Sequence, residues 1–547
     1  MRSSTSPGFY TLLVLTALVT VGACTSPEPE EQTGAFWDDD DHAHHVDVDG
    51  VGSVAFPVSC SEEAQAGFER AVAILHSFWF EEAYRAFHEV ADADPECAMA
   101  HWGVAMTLWG NPMTRVAPPD ERVNEALAAI EEARSLAHSA THREHMYIEA
   151  AASLYEGHPE VGHMERMRAH EQAMRELMEM HPEDPEAAIF YGRIAVGNAP
   201  PDDMTYSQLL YAAEILEPLY LERPDHPGLA HYIIHAYDVP ALAERGLDAA
   251  LQYADIAPDA PHALHMPTHI FTRMGFWEES IELNARSAQA EPDPDAAVHP
   301  LDYMVYAYLQ LGRDRDAEEV VSRIRNITDY FYGGTIGYNF AAMPARFALE
   351  RNRWDEAATV AVPEDVPAYA EAVSRFARAL GAARSGAPEQ AEVELERLAD
   401  LREDLAAEGD DYWATAVEAQ RLAAEAWWRI AQGEPETALS LAREAADLED
   451  TFEKHPVTPG PLLPARELLG DLLMELGRPA EAQAEYEATL EVEVNRARAL
   501  FGAARAAEEA GDFAAADEHF GALAELLEGA DPERPDLHAA MAWAEDN

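Results

Sequence analysis

Two stretches of this chain echo each other at a fixed step. Residues 227–238 read P-G-L-A-H-Y-I-I-H-A-Y-D, and residues 261–272 read P-H-A-L-H-M-P-T-H-I-F-T. His231 and His265 are 34 residues apart, and so are His235 and His269; Pro227/Pro261 and Pro258/Pro292 keep the same step. A chain that repeats at this interval stacks one small unit on copies of itself, so each unit buries its apolar face against its neighbours. That organisation also accounts for the length. A chain of 547 residues is too long for one ordinary core, whereas a stack grows unit by unit. Ala, Glu, Leu and Arg dominate, and alternating strand-like runs are hard to find, so the units are helical.

A 34-residue step with a proline closing each unit resembles the tetratricopeptide repeat. The resemblance implies an all-α fold, a right-handed superhelical solenoid of helix-turn-helix units. It extends over most of residues 60–530. The first unit runs from about Ala64 to Cys97, with Ala83 small, Phe87 large and Pro95 closing it. Ala173, Leu177 and Pro185 fit another unit, and Ala317 marks one over about 298–331. Ala357 to Ala391 and Ala482 to Ala516 repeat the step, with Ala438 between them. Residues 98–226 keep helical periodicity with looser spacing. There Trp102 and Trp109 read as core anchors, Gly110-Asn111-Pro112 as a helix stop, and Thr141 with Glu144 as a capping box. A change of character near Pro363–Pro367 divides an N-terminal solenoid, 60–362, from an alanine-rich C-terminal one, 363–547. Two interruptions stand out: the aromatic, glycine-rich 329–340, a candidate loop over the groove or a plain insertion, and the proline-rich 455–464.

The same resemblance places the ligand surface. In the repeat family the first helix of each unit lines a concave groove, and its second, fifth and ninth places point into it. His262, His265 and His269 fall on those places, and His231 and His235 on the fifth and ninth of the unit before. His299, Asp302 and Tyr306 continue the row in the next unit, and Asp238 lies near the end of the first.

Within each helix a spacing of four puts both imidazoles on one face. His231, His235, His265 and His269 are therefore candidate metal ligands, and imidazoles with a nearby carboxylate suit Zn, Cu or Ni better than Ca or Mg. Against this, neighbouring repeat helices lie about 10 Å apart, near the limit for two imidazoles to share an ion. Neutral histidines also serve as hydrogen-bonding groups in a metal-free groove or as satisfied core groups. All three readings stand at this point.

The start of the chain reads as a targeting segment. Arg2 is followed by an apolar run, Phe9 to Val21, which ends in V-G-A-C at Cys24. That ending resembles the lipobox of bacterial lipoproteins, which implies a signal peptide over 1–24, lipid on Cys24, and an exported protein on the outer membrane facing the periplasm, or on the cell surface. Residues 25–59 read as an acidic disordered tether, and its W-D-D-D-D-H-A-H-H run over 37–45 reads as solvated linker or weak metal capture. In an exported protein Cys60 and Cys97 flank the first helical hairpin on one side, so a disulfide is reasonable; free thiols and metal ligands are the alternatives.

The formal net charge of -65 disfavours nucleic acid as a partner. No H-E-x-x-H, G-x-S-x-G or Walker A motif occurs. The expectation is thus a non-enzymatic, membrane-anchored scaffold that takes a protein or peptide in its groove. The alternative is a transition-metal-binding protein or metal-dependent hydrolase built on the histidine row. Oligomeric state is not legible.

Overall fold

The structure, a computed structural model, describes residues 50–292, 296–325 and 335–546. Cys24, the 37–45 run and residues 326–334 lie outside the described residues, and the described part belongs to one compact unit. Among the described residues the regular elements are all helices, each packed on the next in sequence. Alternate helices also touch, as in Ala368–Ser385 against Asp411–Ala431, so helical hairpins stack into an all-α solenoid. Packing continues across 362/363, where Thr335–Leu349 lies against Ala368–Ser385.

Local sequence chemistry accounts for the helix ends. Thr141 and Glu144 form the reciprocal capping box at the start of His142–Ala152. Helix Ala98–Trp109 stops at Gly110, whose φ of 82° suits a residue without Cβ, and Asn111 caps the turn that follows. Trp102 is a core anchor, its ring against Phe56, Phe68, Tyr147 and Phe190. Cys60 and Cys97 are joined in a disulfide with Cα atoms 4.8 Å apart, which ties the start of the first hairpin to its end.

Two stretches differ from the sequence expectation. The tether ends before 59: Phe56 is fully buried, and Ser59 donates to Glu144 through backbone N–H and hydroxyl, both at 2.6 Å. Upstream, Ser53 N–H donates to the Asp225 carbonyl and Gly50 carbonyl accepts from Asp259 N–H. An apolar residue every second or third position, Val51, Val54 and Phe56, is enough to seat this segment across several repeat turns. The 329–340 stretch is not a loop throughout, because Thr335 begins the helix Thr335–Leu349.

The proline-rich interruption instead packs against the helices Val298–Gln310 and Thr335–Leu349. Prolines 456, 459, 461 and 464 cannot continue a helix, so the chain runs through turns and bends and offers its carbonyls to side chains beneath. Asn339 Nδ2 donates to Val457 O at 2.9 Å and Arg346 Nη1 to Pro461 O at 2.9 Å. Just upstream, Glu453 N–H donates to Pro201 O, and Tyr206 hydroxyl to the Glu453 carboxylate at 2.6 Å. The C-terminal helices return in the same sense. Trp277 Nε1 donates to Asn495 O, and Ala497 N–H to Gln310. Gly275 (φ 69°) permits that approach, since a Cβ there would sit 2.6 Å from Val494 O.

A candidate metal centre

The row of histidines sits on three first helices. Pro227–Tyr237 carries His231 and His235 at its fifth and ninth residues. The second echo, Pro261–His265 and Pro267–Met274, carries His262, His265 and His269 at the second, fifth and ninth, with Pro267 interrupting the helical hydrogen bonds between the last two. Val298–Gln310 carries His299 second, Asp302 fifth and Tyr306 ninth.

The imidazoles gather into two groups of three. His231, His235 and His262 each offer a ring nitrogen, all within 4.8 Å of one another, and so do His265, His269 and His299. Ring centroids of His235 and His269 are 5.9 Å apart and those of His262 and His265 6.0 Å, so the groups are neighbours. The row is no open groove. His231, His265 and His269 are at most 1% exposed; only His262 and His299 lie partly open, giving one accessible edge.

Three tautomers are fixed by what surrounds them. His231 Nδ1–H donates to the backbone carbonyl of His76 at 2.7 Å. This contact comes from the helix Glu62–His76, and Gly228 allows it: a Cβ there would lie 2.7 Å from the His76 ring. His265 Nδ1–H donates to Asn284 Oδ1 at 2.6 Å, with the amide oriented by its own Nδ2–H bond to Ser280 O at 2.8 Å. His269 Nδ1–H donates to Asp238 Oδ2 at 2.8 Å. Each leaves Nε2 as a bare lone pair. His265 Nε2 then faces His269 Nε2 at 3.0 Å, and His231 Nε2 faces His262 Nε2 at 3.2 Å. His235 Nε2 and His299 Nδ1, one in each group, are buried with no hydrogen-bond partner.

Burial holds the imidazoles neutral. It pushes His231, His262, His265 and His299 well below the ordinary value, and neighbouring imidazoles push the same way; His235 falls to about 3. Asp238 stays ionised: burial alone would raise it, but Lys454 and Arg273 outweigh that and hold it well below the carboxylate range. Arg273 Nε–H donates to Asp238 Oδ1 at 2.9 Å, and the ammonium of Lys454, the only lysine in the chain, is 3.3 Å from Oδ2. Burial lowers Lys454 to about 8.

The nine residues expected to line a groove do not all join this site. Asp302 turns to Asn339 Nδ2 at 3.1 Å and to Arg346, both on the neighbouring helix Thr335–Leu349, and Tyr306 donates to Glu493 at 3.1 Å, where the C-terminal helices return. In their place Tyr303 packs its ring against His265, His269 and His299, with its hydroxyl 3.2 Å from the carbonyls of Pro456 and Thr458. The four histidines expected to share a metal are split between the groups, each completed by the second-place His262 or His299. Asn284, Lys454 and the His76 carbonyl come from outside the repeating places and carry no sequence signal of a role here.

A third gathering, His76, Glu186 and His226, is chemically different. Glu186 accepts from His76 Nε2 at 3.1 Å and His226 Nε2 at 2.9 Å, and Tyr232 hydroxyl meets His76 Nδ1 at 2.8 Å. Burial opposes the Glu186 charge, yet the two imidazoles outweigh it and bring it to about 2. Both His76 nitrogens are already occupied by protein, and the gathering acts as the support that fixes the His76 carbonyl under His231.

No family model matches the sequence, and no curated protein matches it. Among solved structures the chain is similar to a human IFIT1 dimer with PPP-AAAA, at 12% identity and a TM-score of 0.38, covering 83% of this chain and 89% of that one.

Proposed function

We propose that this protein binds a transition metal at the histidine row, with the helical solenoid as its scaffold. The observation that carries this is the His265–His269 pair, two bare lone pairs 3.0 Å apart on fully buried side chains. Neutral imidazoles so placed repel, and a cation between them turns the repulsion into coordination. The donor set is all imidazole, which suits Zn, Cu and Ni. Asp238 behind His269, Asn284 behind His265 and the His76 carbonyl behind His231 are the outer partners that orient metal-binding histidines. Three imidazoles leave a coordination position free, the pattern of sites that activate a bound water or polarise a substrate rather than merely brace a fold.

An acidic surface concentrates cations near the partly open edge at His262 and His299. Lipid on Cys24 tethers the centre to a membrane surface in an exported protein. The peptide-binding reading loses the open groove it requires at these residues. Elemental analysis of untagged protein tests the proposal: bound transition metal, lost in a His231→Ala/His265→Ala variant, is expected, and metal-free protein that takes up none contradicts it.

A further inference from the structure

Resting on that metal reading, we infer that the centre holds two ions side by side, one in each histidine group. The two groups are the same motif in successive repeats. Each takes the fifth and ninth residues of one first helix and the second residue of the next: His231, His235 and His262, then His265, His269 and His299. The loop before Val298 is three residues longer than the one before Pro261 relative to the 34-residue step, so the helical place is kept while the sequence step is not.

Each group also carries the same kinds of atom. One contact between Nε2 atoms lies in each, at 3.2 and 3.0 Å, and one unpartnered buried nitrogen lies in each, His235 Nε2 and His299 Nδ1. In the first group His262 is free to donate its own Nε2–H to His231. In the second both Nδ1 atoms are committed to acceptors, so no tautomer relieves the contact. The series ends at two for a visible reason. In the third helix the fifth and ninth residues are Asp302 and Tyr306, and both are drawn away to Arg346 and Glu493.

Adjacency follows from the ring spacing. Centroids within the second group are 4.5 to 6.1 Å apart, His231 lies 4.9 and 5.0 Å from its two partners in the first, and the bridging pairs His235–His269 and His262–His265 are at 5.9 and 6.0 Å. No protein layer separates the two ions. Two ions so placed, each with an open position, offer a paired site for a small bridging oxygen or nitrogen donor, as two-metal sites do at roughly 3.5–4 Å.

The test uses the full, untagged chain, stripped by chelator and reloaded with Cu(II), with copper counted per chain. Two are expected in the wild type, one in His231→Ala/His262→Ala and one in His265→Ala/His299→Ala. A single copper in the wild type, lost in both variants, would mean one shared ion and overturn the inference while leaving metal binding intact. No copper in the wild type would sink both. Should a variant fail to fold, the wild type alone decides by electron paramagnetic resonance. A half-field transition from two interacting Cu(II) spins supports the pair; signals of isolated ions only overturn it.

Discussion

His265 and His269 present their Nε2 atoms to each other at 3.0 Å while each Nδ1–H is held by a separate acceptor, Asn284 Oδ1 for one and Asp238 Oδ2 for the other. The two acceptors come from different elements, a second helix and the end of the preceding first helix. Neither ring can flip or change tautomer without giving up its hydrogen bond to that acceptor in the interior, at a cost of about 0.5–3 kcal/mol.

That relationship makes Asn284 a test of orientation without touching the ligands. Asn284→Leu removes the acceptor of His265 and frees its ring to rotate. Metal affinity is expected to fall about tenfold to a hundredfold. Competition titration with a chromophoric chelator measures it, and unchanged affinity would count against the role given to Asn284.

Asp238 carries more than one bond. It receives His269, Arg273 and Lys454 together. Asp238→Asn leaves the buried Lys454 without its anion and Arg273 with Glu453 alone, so a loss on the order of 3–5 kcal/mol in unfolding free energy is expected. Denaturant unfolding of metal-free protein reads this directly, and a loss under about 1 kcal/mol contradicts the arrangement.

Gly228 allows the two histidine groups to be perturbed apart. Gly228→Val pushes a side chain against the His76 ring and moves the Pro227–Tyr237 helix off the helix Glu62–His76. Metal held by His231, His235 and His262 is expected to weaken, while the second group keeps its ion. Equal loss from both groups would show that they are not separable.

Acid should destabilise the metal-free protein through histidines outside the two groups. Burial depresses His163 and His170 to about 4 and His455 to about 3. Their pKa values are therefore below the unfolded value near 6.5, so the unfolded chain takes protons first as pH falls. Stability from these groups is complete above about pH 6.5 and declines progressively toward pH 4 and then 3. The loss is about 1.4 kcal/mol per group for each pH unit between its unfolded and folded values. A melting temperature that stays flat from about pH 7 to about pH 4.5 would contradict this.

Much of the centre is legible in the chain because it lies on repeating places. The step from His231 to His265 and from His235 to His269 sets four imidazoles in one row, and His262 and His299 stand at the second place of their helices. What lies off the period is not legible. The segment ahead of the proline-rich interruption reaches the row across more than two hundred residues, as in Lys454 to Asp238, and nothing in local spacing encodes such a contact. The same holds for His76 beneath His231, 155 residues away. Asp302 and Tyr306 show the converse. They occupy the fifth and ninth places, yet Asp302 pairs with Arg346 of the neighbouring helix Thr335–Leu349, and Tyr306 with Glu493, which the return of the chain brings in. Periodicity reports which residues share a face, and long-range closure decides what that face meets.

The most direct measurement is the transition-metal content of untagged protein, purified without chelator and compared with His265→Ala/His269→Ala. Bound Zn, Cu or Ni is predicted in the wild type, with loss of the ion held by the second group in the variant. Wild-type protein free of transition metal, and unable to take it up on reloading, would contradict a metal centre at the histidine row.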